Sequence, residues 1–90
     1  MKPSQIVVRR TDGGRPLRFE GTLLTRVEGP RGPSERHEVR IYRTRGGRFV
    51  VVHSYRPAWD EDSFQAKVVP AVEWIPAVLA EFDVPPRIRS

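Results

Sequence analysis

His37 and His53 are the only histidines in a chain of 90 residues that has no cysteine. Catalytic or metal chemistry would therefore run through them or through carboxylates. A catalytic histidine needs a nucleophile within reach and an acid to orient it. Ser54 adjoins His53, but neighbours along a strand point to opposite faces, so the two form no dyad. A metal would need both rings plus a carboxylate such as Glu35 or Glu38, and the strand parity developed below sets the rings on opposite faces. Asp60-Glu61-Asp62 lacks the alternating ligands, central glycine and closing glutamate of a calcium loop. With Ser63 beside it, the triplet reads as an acidic prelude to a helix. The sequence predicts no catalytic centre, no metal and no cofactor.

Arginine offers a different chemistry. It supplies fourteen of sixteen cations, and the net charge is +5. Residues 1–57 hold thirteen Lys/Arg against five Asp/Glu, whereas residues 58–90 hold three against six. Such polarity steers a basic end toward nucleic acid or another polyanion; the plainer alternative is a dipolar domain whose ends attract each other. The set Arg40, Tyr42, Arg45, Phe49, Val51, His53 and Tyr55 is the candidate binding or dimer surface. Arginine interleaved with aromatics can hold phosphates and stack bases, but the glycine-aromatic signature of an RNA-recognition motif is absent. The alternative is that Tyr42, Phe49 and Tyr55 pack at an interface while the arginines face water. Trp59 and Trp74 read as core or lid residues whose indole N–H finds a carbonyl.

The elements that would position these residues follow from periodicity. Apolar alternation predicts strands over about 5–10, 16–27, 37–44 and 48–55. Asp12-Gly13 is a two-residue hairpin signal, which pairs Val8 with Leu17 and Ile6 with Phe19 so that both strands agree on their inner face. Leu17, Phe19, Leu23 and Val27 fall on one side of strand two. Gly21, among them, marks a bulge or a close backbone approach. "GPRGPSER", from Gly29 to Arg36, joins the two hairpins as a loop. Arg45-Gly46-Gly47-Arg48 reads as a tight turn in which glycine supplies positive φ. It does not match a phosphate loop, whose spaced glycines end in Lys-Ser/Thr before a helix. A two-residue loop there would place Val39 and Ile41 with Val50 and Val52. Arg40, Tyr42, Phe49, Val51, His53 and Tyr55 would then share the other face.

After Tyr55 the chain reads as a connection through Trp59 and the acidic triplet, then as a helical region over about 70–82. Pro70 and Pro76 forbid one long helix, and Val72, Ile75, Val78, Leu79 and Phe82 form its buried stripe. Residues 84–90 read as an extended tail. The expected architecture is one α+β domain over residues 1–90, a four-stranded antiparallel sheet with one or two short C-terminal helices on one face. Strand four would then be an edge, yet "FVVV" is apolar on both faces, and exposed edges of that kind are normally blunted or covered. That mismatch predicts a homodimer. The lack of cysteine suits a reducing cytoplasm, and no apolar run approaches the roughly 20 residues needed to span a bilayer. The reading is a cytoplasmic binding or interaction module and not an enzyme, with no membrane or metal partner. Its alternative is a basic nucleic-acid-binding domain using the arginine-aromatic face of strands three and four.

The run "RFEGTLLTRVEG … ERHEVRIYRTRGGRFVVVHSYRPAW" resembles the EXLDI proteins, an uncharacterised bacterial family. In that family a similar "RF-x-G-x-L" strand leads to a "VYRT-x-x-GRF" hairpin and a tryptophan-bearing loop. The likeness spans Arg18 to about Trp59. The family's closing Glu-x-Leu-Asp-Ile corresponds to Ala80-Glu81-Phe82-Asp83-Val84, of which the aspartate is kept. The resemblance implies a small α+β domain and carries no site residues with it.

Overall fold

The computed structural model describes residues 4–11, 14–29, 35–57 and 61–82. The Asp12-Gly13 turn, Trp59, Asp60 and the tail from Asp83 onward lie outside the described residues, as does the loop over 30–34. Five strands form one antiparallel meander in the order β1 (Ser4–Val8), β2 (Leu17–Glu28), β3 (Glu35–Thr44), β4 (Phe49–Pro57) and β5 (Ser63–Val69). A 3-10 turn over Val72–Trp74 leads into helix α1, Ile75–Glu81. The sheet therefore has five strands, not four. The fifth lies where the acidic triplet suggested only a connection, and it is carried by the alternation Phe64, Ala66, Val68.

That extra strand changes the position of β4, which runs between β3 and β5 and is no edge. Val50, Val51 and Val52 are all 0% exposed within the single chain. Each buried valine contributes roughly 1.5 kcal/mol or more to folding. The greasy double face that argued for a second copy is thus satisfied internally, and that ground for a dimer is removed.

Register decides which side chains share a face. β1 and β2 pair as their alternation requires, Ile6 opposite Phe19 and Val8 opposite Leu17. Between β2 and β3 the register shifts from Leu23–Tyr42 to Thr25–Ile41, leaving Leu24 as an extra residue. This bulge turns Val27 to the face opposite Leu17, Phe19 and Leu23. At the β3–β4 turn, the Thr44 N–H donates to the Arg48 carbonyl (2.8 Å) and the Gly47 N–H to the Thr44 carbonyl (3.0 Å). The Thr44 hydroxyl accepts the Arg48 N–H at 3.0 Å. The loop is therefore Arg45-Gly46-Gly47, three residues and not two, with Gly47 at φ +87°. A one-residue change of register moves every side chain of a strand to the other face. Phe49, Val51, His53 and Tyr55 consequently lie with His37, Val39 and Ile41, while Arg40 and Tyr42 lie with Val50 and Val52. Gly47→Ala is expected to cost about 1 kcal/mol, because a Cβ disfavours that backbone conformation. Gly46→Ala should be nearly neutral, since its Cβ would meet nothing nearer than the Thr44 hydroxyl at 4.0 Å. Urea midpoints of the two variants check the contrast.

The sheet carries a core on each face. On the outer face α1 lays Ile75, Val78 and Leu79, followed by Phe82, over Val39, Val51 and Val69, with Ile41 and Phe49 packed alongside. Pro76 sits in the first turn of α1, where its missing N–H costs no helical bond. Lys67 and Glu81 clip the helix to β5 at 2.9 Å. Val72 remains exposed, because the 3-10 turn sets it off the stripe of the following helix. On the inner face Val8, Tyr42, Val50, Val52 and Ala66 form a second cluster, flanked by Ile6, Leu17 and Phe19. The sheet curls around this cluster until the two ends of the meander meet. The Thr11 N–H donates to the Phe64 carbonyl at 3.0 Å, and the Phe64 N–H donates to the Thr11 hydroxyl at 2.8 Å. Arg9 covers the Phe64 ring from 5.6 Å.

Candidate functional site

The residues expected to share one binding face are divided by this register. Arg40 and Tyr42 belong to the inner face. Tyr42 is 6% exposed, meets the Phe19 ring edge-on at 5.5 Å and accepts a hydrogen bond from Arg40 Nη1 at 2.9 Å. Phe49 and Val51 lie under α1. Arg45, in the turn, reaches back to Glu20 at 3.0 Å, its own N–H donating to the Glu20 carbonyl. Tyr55 is half-buried. Trp74, expected as core or lid, is 58% exposed.

The histidines, expected on opposite faces, are in contact. The three-residue turn places Val39 opposite His53 and His37 opposite Tyr55. Both rings are buried. They meet edge to edge, nearly parallel, with centroids 5.2 Å apart and an interplanar angle of 5°, and His37 Nδ1 stands 3.0 Å from His53 Nε2. His53 Nδ1 lies 3.3 Å from Gln65 Oε1. An amide oxygen can only accept, so His53 Nδ1 donates to Gln65; with both rings neutral, His53 Nε2 then accepts from His37 Nδ1. Tyr55 packs on His37 at 4.8 Å and Phe82 on His53 at 6.4 Å. Ser54 faces the other side of the sheet, as strand alternation requires, and lines a cleft there. Among the described residues no three His, Cys, Asp or Glu side chains are grouped to hold a metal ion, and no helix is long and apolar enough to cross a membrane.

Charge is organised at the two ends of β3 and β4. At the turn end, Arg43 and Arg48 are exposed and make no ion pair among the described residues; Arg18, on the neighbouring part of β2, is likewise exposed and unpaired. At the other end, the inner face carries successive cross-strand rows. Arg26 stands opposite Arg40, Glu28 opposite Glu38, and Arg36 opposite Arg56. Arg26 donates to Glu28 and to Glu38 at 2.9 Å. The Glu38 hydrogen bond and charge, with those of Glu28, hold the Arg26 guanidinium above its ordinary pKa. Arg40 Nε sits 3.1 Å from Glu38, an ion contact without hydrogen-bond alignment. Asp62, the last of the acidic triplet, lies 3.6 Å from Arg56. Arg26, Glu28, Arg36, Glu38, Ser54 and Arg56 line a cleft of about 90 Å³.

Sequence reasoning missed this cleft because it depends on the Leu24 bulge. Without the extra residue, Arg26 would face away from Glu38. Comparison with protein-family models, with curated proteins and with solved structures returns no match.

Proposed function

We propose that the chain is a binding module for phosphate-bearing polyanions, with nucleic acid as the type, acting through the β3–β4 turn and not through catalysis. The observation that carries this reading is that Arg43 and Arg48, on either side of the three-residue turn, and Arg18, three residues before the Gly21 that faces Thr44, are exposed and make no ion pair among the described residues. Arg45, tied to Glu20, braces the turn against β2. Of the rings near the turn, Tyr42, Phe19 and Phe49 are committed to the two cores, so the reading is of recognition by backbone phosphate and not by stacked bases. The buried histidines have Gln65, Tyr55 and Phe82 about them, a setting that supplies structural contacts.

Neutralising phosphates releases counterions, so affinity for a generic oligonucleotide should fall about fortyfold from about 50 to 200 mM salt if three phosphates are contacted. Arg43→Gln with Arg48→Gln should flatten that slope by about two units of log affinity per log salt. Fluorescence anisotropy with a labelled oligonucleotide reads both. A salt-independent response, or no binding at low salt, removes the reading.

A further inference from the structure

We propose that the cleft at the far end of β3 and β4 is a second, separate site, which takes a single tetrahedral oxyanion such as the phosphate group of a small molecule. It lies at the opposite end of β3 from the turn, eight residues from Arg36 to Thr44, which is about 25 Å of extended strand.

The inner-face rows at this end alternate in sign. Like charges directly opposite each other on neighbouring strands are destabilising, and here three such rows lie in succession. The first two cancel one another, since Arg26 bonds both Glu28 and Glu38 and Arg40 contacts Glu38. The third is not cancelled. Among the described residues Arg36 makes no ion pair, and its cross-strand partner Arg56 pairs with the half-exposed Asp62 at 3.6 Å. Two arginines thus stand opposite each other on neighbouring strands and line one cleft, with a single ion pair, to Asp62, between them among the described residues. Ser54, 2% exposed, brings its hydroxyl to the same cleft from β4.

An anion seated between Arg36 and Arg56 removes this repulsion and gives each planar fork a bidentate acceptor. The cleft volume of about 90 Å³ is enough for one such group. The glutamates also restrict what enters. Paired with Arg26 and Arg40, they leave no spare cation on that side of the cleft, so Arg36 and Arg56 can serve one oxyanion and not a chain of them. The cleft is therefore distinguished from the turn by ligand as well as by place.

The test is a titration of the full isotope-labelled chain with inorganic phosphate, and in parallel with phenyl phosphate, at low ionic strength, following backbone amides by NMR. Saturable shifts are expected at Arg36, Ser54 and Arg56 and not at Gly46 or Gly47. Arg36→Gln and Arg56→Gln should each weaken binding about tenfold, Arg56→Lys should weaken it by keeping charge without the fork, and Arg48→Gln should leave it within about twofold. The same spectra report whether each variant is folded. Tighter binding of phenyl phosphate identifies an organic phosphate as the ligand, and equal binding identifies the free ion. Absence of saturation by about 20 mM phosphate, or equal weakening by Arg48→Gln, overturns the proposal. Because Arg48 serves the turn and Arg36 the cleft, failure of either site is read independently of the other.

Discussion

Gly21→Val should lose about 3–4 kcal/mol of folding stability, the largest single loss expected from any glycine in the sheet. Gly21 is buried where β2 leaves β1 and takes up β3, opposite Ser4 on one side and Thr44 on the other. A Cβ at this position would stand 2.6 Å from the Arg43 carbonyl oxygen and 3.0 and 3.1 Å from two carbons of the Phe19 ring. The oxygen belongs to a strand held by a hydrogen-bond ladder, so it cannot move aside, and Phe19 is pinned against Tyr42. The backbone itself is unstrained, since no positive φ is involved. The penalty is steric and should already appear, at about 2 kcal/mol, in Gly21→Ala. Equilibrium urea unfolding measures it; a loss below about 0.5 kcal/mol for alanine would show that β2 does not approach β3 this closely.

His53→Leu should cost about 2–4 kcal/mol although leucine fills comparable space. His53 is 4% exposed and sits between two polar partners, His37 and Gln65. Leucine removes the acceptor for His37 Nδ1 and the donor for Gln65 Oε1 while leaving both groups on a covered face. Loss of one partner from a buried bond costs more than the bond contributes, because the survivor remains desolvated. The pair is therefore best measured as a cycle. His37→Leu together with His53→Leu should be less damaging than the two single losses added, with a coupling of about 1 kcal/mol or more. Strict additivity would mean that the rings do not share a hydrogen bond.

What could be read from the chain depended on how far apart the deciding residues lie. The β1–β2 register follows from four apolar residues, Ile6 and Val8 against Leu17 and Phe19, and it agrees with the structure. The stripe Ile75, Val78, Leu79, Phe82 is likewise a local pattern, and it covers the sheet as expected. The β3–β4 turn is ambiguous at that level, because a glycine pair serves loops of two residues or three. The Thr44 hydroxyl on the Arg48 amide settles the choice, and with it the parity of every residue from Phe49 to Pro57. The bulge is similarly silent, since Leu23 and Leu24 are both apolar and neither marks itself as the extra residue. β5 was obscured by its own composition, with Gln65 and Lys67 on one side and a preceding acidic triplet that resembles a helix start. The charged cleft and the histidine pair inherit all of these ambiguities. Arg26 meets Glu38, and His37 meets His53, only when turn length and bulge are both known.

The clasp between Thr11 and Phe64 has a consequence for how the molecule assembles. Every ladder in the sheet joins strands adjacent in the chain, so hairpins can form in succession with short loops to close and little entropy lost at each step. The clasp joins residues 53 positions apart and gains its contacts only after the sheet has curled. It is therefore expected to form late on folding and to part early under native conditions. The amide hydrogens of Thr11 and Phe64 should exchange with solvent together, well before those of β4.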